Sequence, residues 1–446
     1  MLKKDPSAEG GARAPRAGEI MRNPELARTF RTLAAEGKAG FYTGRVAEEL
    51  VRVVRDLGGH LELDDLRHHL ETGSEPVDPI SLKLRGLGAR EALRKSAVPA
   101  NGKGAEDDDD VGLELWEHPP NGQGIVALMA MGIIQELEKA GTIPAFGPGD
   151  FNTAPYLHAI VEALRLAFAD AAWFVTDPNV ETVPTASLIS EAYLAERARL
   201  FNPARAAAAD GASGIPAHGS PALQSSDTVY FAVADADGNA VSFINSNYGG
   251  FGTCIVPRGC GFTLQNRAAN FSLDRAHPNA LAPRKRPYHT IIPAAVTSFG
   301  VDGDGDGGGA GSKAALHSVF GVMGGFMQPQ GHVQVLLGQV VGGLSPQQAL
   351  DAPRVCIGGG MPSEDNKKSG EKEALFDLTV YCEEGLPGET VEGLRRLGHK
   401  VEVVRGFERG LFGRGQIIRR TVDPVEKIGV WSAGSDMRGD GAAYPL

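Results

Sequence analysis

Positive charge is in short supply in this sequence. Its 44 lysines and arginines are outnumbered by 55 aspartates and glutamates, which leaves a formal net charge of -11 at pH 7. Nucleic acids and anionic membrane surfaces are bound by basic faces, so this balance argues against either as a partner. Long apolar runs are missing as well, since none approaches the roughly 20 residues that a membrane span needs. The sequence therefore predicts no membrane-spanning segment.

Cysteine is also scarce. The four cysteines, Cys254, Cys260, Cys356 and Cys382, are too few and too scattered for a disulfide framework. Cys254 and Cys260 are close enough along the chain to pair, but buried free thiols are the favoured interpretation. No spacing of cysteine and histidine indicates zinc. The Asp/Gly loop that ends at Lys313 lacks the carboxylate that calcium requires at that position, so we expect no metal. We also expect no cofactor.

The first residues lack the apolar core of a signal peptide. The N-terminus carries charged residues, including Lys3, Lys4 and Arg13, and no apolar region, so the sequence predicts no export signal. The compartment stays open, with a cytoplasmic protein as the default. Residues 1–18 are rich in Ala, Gly, Arg and Pro and are predicted to be disordered.

Low-complexity stretches divide the rest of the chain. We predict a mostly helical segment over residues 19–227 and a second segment over residues 228–446. An insertion at about 95–112 contains five consecutive acidic residues, and an Ala/Gly/Ser/Pro-rich linker covers about 203–227. Acidic runs are typical of solvated, disordered insertions, which we prefer here over a calcium site. The second segment carries polar loops at about 302–313 and 358–373.

Helical and strand-like patterns alternate along the chain. Apolar stripes predict helices at 24–36, 45–57, 124–138, 155–174, 190–200, 332–339, 345–350 and 390–397. Runs rich in β-branched residues predict strands at 113–117, 261–264, 290–299, 314–322, 375–381, 400–404 and 415–418. By pattern alone, this alternation predicts an α/β or α+β fold with layered sheets.

The most informative stretch is 226–246, where two β-branched and aromatic runs are joined by an Asp/Gly/Asn turn. This pattern is typical of a β-hairpin. Alternation puts Thr228 on the same face as Tyr230 and puts Phe231 on the other. If the chain were cut between Asp227 and Thr228, the threonine would carry a free α-amine beside its own hydroxyl. A nucleophile and its general base would then lie in one residue.

Further motifs accompany the Asp-Thr-Val-Tyr sequence at 227–230. They are PPNGQG at 119–124, EALRLAFAD at 162–170, SNYGGFGT at 246–253, LQNR at 264–267, PNALAP at 278–283, KRPYHTIIP at 285–293, GVMGG at 321–325 and ALDAPR at 349–354. Together they resemble the γ-glutamyltranspeptidase family, and most closely its branch in which Asp-Thr-Val-Tyr replaces Thr-Thr-His-Tyr. The resemblance covers nearly the whole chain after about Gly18.

The resemblance implies an α+β fold of the N-terminal-nucleophile (Ntn) hydrolase class, a four-layer αββα sandwich. It also implies that a precursor is cleaved between Asp227 and Thr228, and that the two products stay together as a heterodimer. Family members begin with a further stretch before the point that matches this chain, so we expect a sandwich that is incomplete at its N-terminal side. Missing strands would leave an unpaired sheet edge and exposed apolar surface.

Catalytic roles follow from the resemblance as well. Thr228 would be the nucleophile, and its α-amine, with an ordinary pKa of about 7.7–8.0, would be the general base. It would attack a γ-glutamyl or related acyl amide, and water or an amine acceptor would then take the acyl group. Gly324 and Gly325 would supply oxyanion-binding N–H groups. Ser246 would hydrogen-bond the nucleophile, although an ordinary strand serine is an equal alternative.

The expected substrate-binding residues depart from the family. Asn270 replaces an Asp that binds the substrate α-ammonium, and a neutral amide cannot form that ion pair. His289 and Thr290 replace a Ser-Ser pair that holds the α-carboxylate, and Arg267 adds positive charge nearby. These changes predict a preference for an acyl group that bears a carboxylate but no amine, such as a glutaryl-like chain. A purely structural role for His289 is kept as an alternative.

Two other functions are also kept as alternatives. One is a catalytically inactive, truncated family member that only binds a ligand or a partner. The other is an α/β binding protein without covalent chemistry. A denaturing gel separates the enzyme from both, because only self-cleavage yields two fragments with Thr228 as a new N-terminus.

Overall fold

The structure, a computed structural model, describes residues 2–96, 111–207, 226–299, 315–358, 379–423, 425–426 and 428–445. The predicted insertion, linker and two polar loops lie wholly or largely outside these residues and stay predictions. The chain divides into two compact units, and this division does not follow the expected cleavage point. The smaller unit comprises Met1–Val77 and Phe251–Asn266, and the larger comprises Asp78–Gly250 and Arg267–Leu446.

The smaller unit is mainly helical. A short antiparallel pair of strands comes first, β1 (Lys3–Lys4) and β2 (Ala12–Arg13). Helices α1 (Pro24–Glu36), α2 (Ala39–Tyr42), α3 (Gly44–Asp56) and α4 (Leu63–Thr72) follow. Asn23 caps α1 by accepting a 3.1 Å hydrogen bond from the N–H of Leu26, and Gly37 ends it. Arg13, which lies in the stretch predicted to be disordered, pairs with Asp5 in that stretch and with Glu19 just after it.

The segment 251–266 packs on these helices as loop rather than strand. The hydroxyl of Thr29 donates to the carbonyl of Cys260 at 2.9 Å. The side-chain amide of Asn23 donates to the carbonyl of Gly261 at 2.6 Å. Gly261 has a φ of +75°, outside the extended region. The predicted strand at 261–264 is therefore wrong, because side chains of α1 take the hydrogen bonds that a neighbouring strand would have taken.

The larger unit holds the remaining elements. Its helices are α5 (Ala89–Ser96), α6 (Gly124–Lys139), α7 (Ala154–Phe174), α8 (Thr185–Leu188), α9 (Glu191–Ala198), α10 (Met327–Val340), α11 (Pro346–Asp351) and α12 (Gly388–Arg396). Its strands are β3 (Ile80–Leu84), β4 (Gly112–Glu117), β5 (Ser226–Ala234), β6 (Ala240–Gly249), β7 (Ala294–Phe299), β8 (Leu316–Met323), β9 (Val355–Ile357), β10 (Val380–Glu383), β11 (Val401–Val404), β12 (Arg414–Val422) and β13 (Gly429–Ser435). The predicted α+β class is confirmed.

Three sheets are built from these strands. The main one is antiparallel and six-stranded, in the order β13-β12-β8-β7-β4-β3. Strands β11, β10 and β9 form a second sheet, in which β10 and β11 are parallel. Strands β5 and β6 pair only with each other, as the predicted hairpin.

Adjacent residues of β8 show what covers each face of the main sheet. A Cβ on Gly321 would lie 2.4 Å from the ring of Tyr230, so the hairpin packs on this face. A Cβ on Gly331 in α10 would lie 2.6 Å from a methyl of Val322, so α10 packs on the other face. The layers are thus helices, the six-stranded sheet and the hairpin. Glycine is needed at both contacts because a side chain would separate the layers.

The outer face of the hairpin is left partly exposed by the residues that the structure describes. Five apolar side chains on it are between 43% and 56% exposed, namely Val229, Phe231, Val233, Val241 and Phe243. Among the described residues of the larger unit, the second sheet of the expected αββα sandwich is therefore two strands wide, and its outer helical layer is not seen. Helices α6 and α7, by contrast, are apolar on nearly every side and form the core under the main sheet.

Candidate active site

The hairpin places Thr228 opposite Ser246. The register pairs the two residues directly, and the turn is closed by Asn239, whose backbone N–H donates to the Asp235 carboxylate at 2.8 Å. Thr228 is only 3% exposed, and its hydroxyl donates to the hydroxyl of Ser246 at 2.8 Å. The backbone N–H of Tyr248 donates to the same Ser246 oxygen at 2.9 Å. The geometry expected for Ser246 beside the threonine is thus present.

The two glycines form a turn between β8 and α10. Gly324 and Gly325 have φ values of +143° and +60°, which side chains would disfavour. Their carbonyls accept hydrogen bonds from the N–H groups of Met327 and Gln328, at 3.0 and 3.2 Å. Within the described part of the chain, the N–H groups of the two glycines have no protein acceptor. This turn therefore offers two donors in the manner of an oxyanion-binding site.

A buried hydrogen-bonded pair, His332 and Glu117, supports the end of β8 just before this turn. The Nε2 of His332 accepts a 3.2 Å hydrogen bond from the N–H of Val322, and its Nδ1 donates to Glu117 at 2.6 Å. Both side chains are fully buried, and this burial raises the pKa of Glu117. Because β7 pairs with β8 only as far as Phe320, the histidine supplies the acceptor that a longer strand would have given.

The predicted substrate-binding residues lie close to one another. Arg267 donates to the hydroxyl of Thr290 at 2.7 Å, and its guanidinium lies 4.8 Å from the ring centre of Tyr248. The side-chain amide of Asn270 donates to the carbonyl of Tyr288 at 3.0 Å. His289 is bound through its backbone, with its N–H on the carbonyl of Asn121 at 3.0 Å.

Gln123 joins these residues to the glycine turn, and sequence reasoning gave it no role. Its amide nitrogen donates to the carbonyls of Thr290 and Gly325, both at 2.9 Å. Its amide oxygen accepts from the hydroxyl of Tyr288 at 3.1 Å. The only signal for this residue was its place in the motif at 119–124.

The contacts form one connected chain around the site. It runs from Thr228 through Ser246, Tyr248, Arg267, Thr290 and Gln123 to Gly325. Every link is a hydrogen bond except the cation–π contact of Arg267 with Tyr248. Of the residues expected at the site, Thr228, Ser246, Arg267, Thr290 and Gly325 therefore belong to one network of contacts, although they come from distant parts of the sequence.

Burial determines the charge of this region. It lowers the pKa of His289 to about 3, with the nearby charge of Arg267 as the next cause. It also lowers the pKa of Arg267 to about 10, which leaves the guanidinium charged at neutral pH. The pKa of Tyr248 rises to about 12. Arg267 is thus the cation here, and His289 can contribute a hydrogen bond but no charge.

One other cluster of the larger unit resembles a metal site in composition. Ligand atoms of His158, Glu162 and His399 lie within 4.8 Å of one another and are buried. Their lone pairs are used: Arg165 contacts Glu162 at 2.6 Å and His399 at 3.3 Å, and the two imidazoles are 2.8 Å apart. The second nitrogen of His158 lies 2.8 Å from the carbonyl of Asn202. A guanidinium among the ligands opposes a cation, so the cluster is a hydrogen-bond network.

Comparison with known proteins decides the family. Residues 7–446 match the profile of gamma-glutamyltranspeptidase. The chain belongs to this family. It is 31% identical over 435 residues to the glutathione hydrolase-like YwrD proenzyme of Bacillus subtilis, covering 97% of this chain and 68% of that protein. It is also 31% identical over 432 residues to the oxamate amidohydrolase proenzyme of Klebsiella pneumoniae, covering 96% and 66%.

A solved structure shows the same fold. The crystal structure of cephalosporin acylase from Bacillus halodurans matches with a TM-score of 0.71 and 35% identity, over 97% of this chain and 65% of that one. The fold of this gamma-glutamyltranspeptidase-family chain is therefore that of the Ntn hydrolases. The chain spans about two thirds of the length of these relatives. Among the described helices, none is long and apolar enough to cross a membrane.

Proposed function

We propose that this chain is a self-cleaving N-terminal-threonine amidohydrolase or acyltransferase. The observation that carries the proposal is the buried hydroxyl of Thr228, which is hydrogen-bonded to Ser246 at the start of the hairpin in a chain of this family. Relatives that match nearly its whole length are named as proenzymes, which supports maturation by cleavage. A catalytically inactive binding protein has no comparable observation in its favour.

Maturation would begin with the threonine itself. The hydroxyl oxygen of Thr228 attacks the carbonyl carbon of Asp227, the peptide C–N bond breaks, and the nitrogen takes a proton to become a free α-amine. Water then hydrolyses the resulting ester, which leaves a carboxylate on Asp227 and restores the hydroxyl. No other reactant is needed, and the new amine lies beside the hydroxyl that it activates.

Turnover would use the same groups. The α-amine accepts the hydroxyl proton while the oxygen attacks the substrate carbonyl, and the N–H groups of Gly324 and Gly325 bind the oxyanion. The leaving amine takes that proton, and an acyl-enzyme ester remains on Thr228. Water attacks this ester and releases the carboxylic acid, or an amine acceptor attacks it and gives a new amide.

We further propose that the acyl group carries a carboxylate and no amine. Asn270 is neutral, whereas Arg267 is a buried cation beside Thr290. The relative named oxamate amidohydrolase fits this pattern, since oxamate is an amide with a carboxylate and no ammonium group. A glutaryl-like amide is therefore expected to be a better substrate than the matching γ-glutamyl amide.

The test of the nucleophile compares wild-type protein with Thr228→Ala and Thr297→Ala. Thr297 is the matched control, because it is also a strand threonine whose hydroxyl is hydrogen-bonded, in this case to the indole N–H of Trp116 at 2.8 Å. N-terminal sequencing should find Thr228 as a new terminus in wild type and in Thr297→Ala, but not in Thr228→Ala. Mature, active protein that consists of one unbroken chain would overturn the proposal.

The specificity test measures kcat/KM for glutaryl and γ-glutamyl p-nitroanilides. Glutaryl should be preferred, and Arg267→Met should remove most of the preference, whereas Arg286→Met should keep it. Arg286 pairs with Asp177 at 2.7 Å and is partly exposed, so it controls for the loss of a charge. A γ-glutamyl amide that is cleaved much faster by wild type would contradict the proposed specificity.

A further inference from the structure

Gln123 uses every polar atom of its side chain. The two hydrogens of its amide nitrogen point to two carbonyls, of Thr290 and Gly325, and its oxygen accepts from Tyr288. The opposite orientation of the amide would bring its oxygen against both carbonyls, so these partners fix which way the group points. The residue is fully buried. It therefore acts as a rigid bridge between the backbone at Thr290 and the backbone at Gly325.

The loop around Gln123 is itself tightly fixed. Glycines flank the residue, and a Cβ on Gly122 would lie 2.8 Å from the ring of His289, while one on Gly124 would lie 2.7 Å from Glu117. The N–H of Gln123 donates to the carbonyl of His289 at 3.1 Å, and its own carbonyl accepts from Val126 at the start of α6. The bridge thus begins from a backbone position that cannot shift freely.

The backbone of Gly325 has more rotational freedom than that of a residue with a side chain, so a hydrogen bond that holds its carbonyl matters more. At a φ of +60° it has no side chain to limit rotation about its backbone bonds. Its carbonyl is held at 2.9 Å by Gln123 and at 3.2 Å by the N–H of Gln328. Fixing this carbonyl limits how far the adjacent N–H groups of Gly324 and Gly325 can turn.

We propose that Gln123 is a positioning residue that holds the oxyanion-binding turn in register with the backbone at Thr290, in the segment before β7. It touches neither substrate nor reacting atoms, and it acts through Gly325. The inference rests on the proposed function, because it presumes that the glycine turn binds an oxyanion. Loss of the Gln123 side-chain amide should lower kcat far more than it changes KM, since the N–H groups of the glycine turn act mainly in the transition state.

The test compares Gln123→Met with Gln334→Met. Gln334 is a matched control: it is also buried, donates to the carbonyls of Gln330 and Val355 at 3.0 and 2.9 Å, and accepts from an N–H at 2.8 Å. Both variants lose the same kinds of hydrogen bond, but only one bridges to Gly325. With glutaryl p-nitroanilide, we expect Gln123→Met to lower kcat about 100-fold, as a misplaced catalytic group does. For Gln334→Met we expect kcat within about 3-fold of wild type.

A second variant keeps the inference testable if Gln123→Met does not fold. Tyr288→Phe removes only the hydroxyl that orients the Gln123 amide and keeps the ring stacked on Phe326, 5.9 Å between centres. It should lower kcat about 3- to 10-fold with little change in KM.

Three outcomes overturn the inference. They are equal kcat values for Gln123→Met and Gln334→Met, a loss confined to KM, and wild-type kcat in both Gln123→Met and Tyr288→Phe. If the wild-type protein neither cleaves itself nor turns over either amide, the proposed function fails, and the inference fails with it. An active wild type with unaffected variants overturns the inference alone.

Discussion

The hydroxyl of Thr228 donates a 2.8 Å hydrogen bond to the hydroxyl of Ser246, its direct partner across the hairpin. Ser246 also accepts from the N–H of Tyr248, so its oxygen is held in place by the backbone. The threonine hydroxyl is therefore oriented before any cleavage takes place. Two residues further along β5, the Tyr230 ring packs against Gly321 and fixes the hairpin on the main sheet.

Removing the Ser246 hydroxyl should slow both proposed reactions of Thr228. We expect Ser246→Ala to lower the rates of self-cleavage and of amide turnover about 10-fold, as for a lost hydrogen bond of about 1.4 kcal/mol. Ser242→Ala is the control, because Ser242 lies on the same strand and is hydrogen-bonded to the Tyr230 hydroxyl at 2.8 Å. Quantitative gels and p-nitroaniline release give the two rates. Equal losses in both variants would contradict a special role for Ser246.

A carboxylate at position 270 should change the substrate preference. We expect Asn270→Asp to raise the ratio of γ-glutamyl to glutaryl kcat/KM about 10-fold or more, because an Asp can pair with an ammonium group and repels a carboxylate. Some stability should be lost, since the amide donates to the carbonyl of Tyr288 and Asp cannot. The measurement is kcat/KM for both amides.

Asn279→Asp serves as the control for that change. Asn279 is buried, whereas Asn270 is half-buried, and the Asn279 amide likewise donates to a backbone carbonyl, that of Asn270, at 2.7 Å, so Asn279→Asp loses a hydrogen bond of the same kind. In Asn279→Asp the ratio of γ-glutamyl to glutaryl kcat/KM should stay close to that of wild type. An unchanged ratio in Asn270→Asp would remove position 270 from the substrate site.

Acid should destabilise the fold partly through His317. This side chain is buried in β8, and burial, with the charge of Arg419 as a second cause, lowers its pKa to about 3. The unfolded chain binds this proton near its ordinary pKa of about 6.5. Between about pH 6.5 and 3, the unfolded state therefore binds more protons, and the free energy of unfolding falls as pH falls.

His317→Asn should weaken that dependence. We expect the slope of unfolding free energy against pH to decrease by up to about 1.4 kcal/mol per pH unit between pH 4 and 6. Asn retains a polar group near the Ser318 hydroxyl, which lies 3.1 Å from Nδ1. Urea titrations at several pH values provide the slope. The exposed His60→Asn is the control, and an identical slope in both variants would exclude His317 as a contributor.

The exposed outer face of the hairpin should bind apolar dyes. Phe231 and Phe243 stack across the strands at 4.8 Å and are 43% and 44% exposed. Contiguous apolar surface of this kind is uncommon on monomeric proteins. We expect native protein to enhance the fluorescence of 8-anilinonaphthalene-1-sulfonate, and Phe231→Ser with Phe243→Ser to lose most of that signal. Phe407→Ser, at a single exposed residue, should keep it.

Local patterns predicted the parts of this fold that depend on neighbours in sequence. The hairpin follows from two runs and one turn, whereas the contact of Ser246 with Thr228 was expected only from the family resemblance. The ends of α1 follow from Asn23 and Gly37, which act within one turn of the helix. Strand β13 was missed because Gly429–Ser435 has two glycines and two serines, and its pairing with β12 determines its conformation.

Gln123 could not be found in this way. It is a neutral residue without a chemical signature, and its partners Thr290 and Gly325 lie 167 and 202 residues away. Only the folded backbone brings the two carbonyls to one amide. The neutral state of His289 was equally hidden, because burial rather than residue type determines it. Residues that orient others are harder to predict than residues that react.

Strand β5 begins at Ser226, so the expected scission point lies inside the strand rather than in the loop before it. Ser226 is paired with Gly249 and Thr228 with Ser246, with an irregular step between them. Cleavage at this step would leave the new C-terminal residues of the first fragment paired with β6. They would then lie next to the newly freed Thr228. Cleavage and exposure of the site would then be separate events. The cleaved protein would remain blocked by the C-terminal end of its own first fragment until that end dissociates from β6.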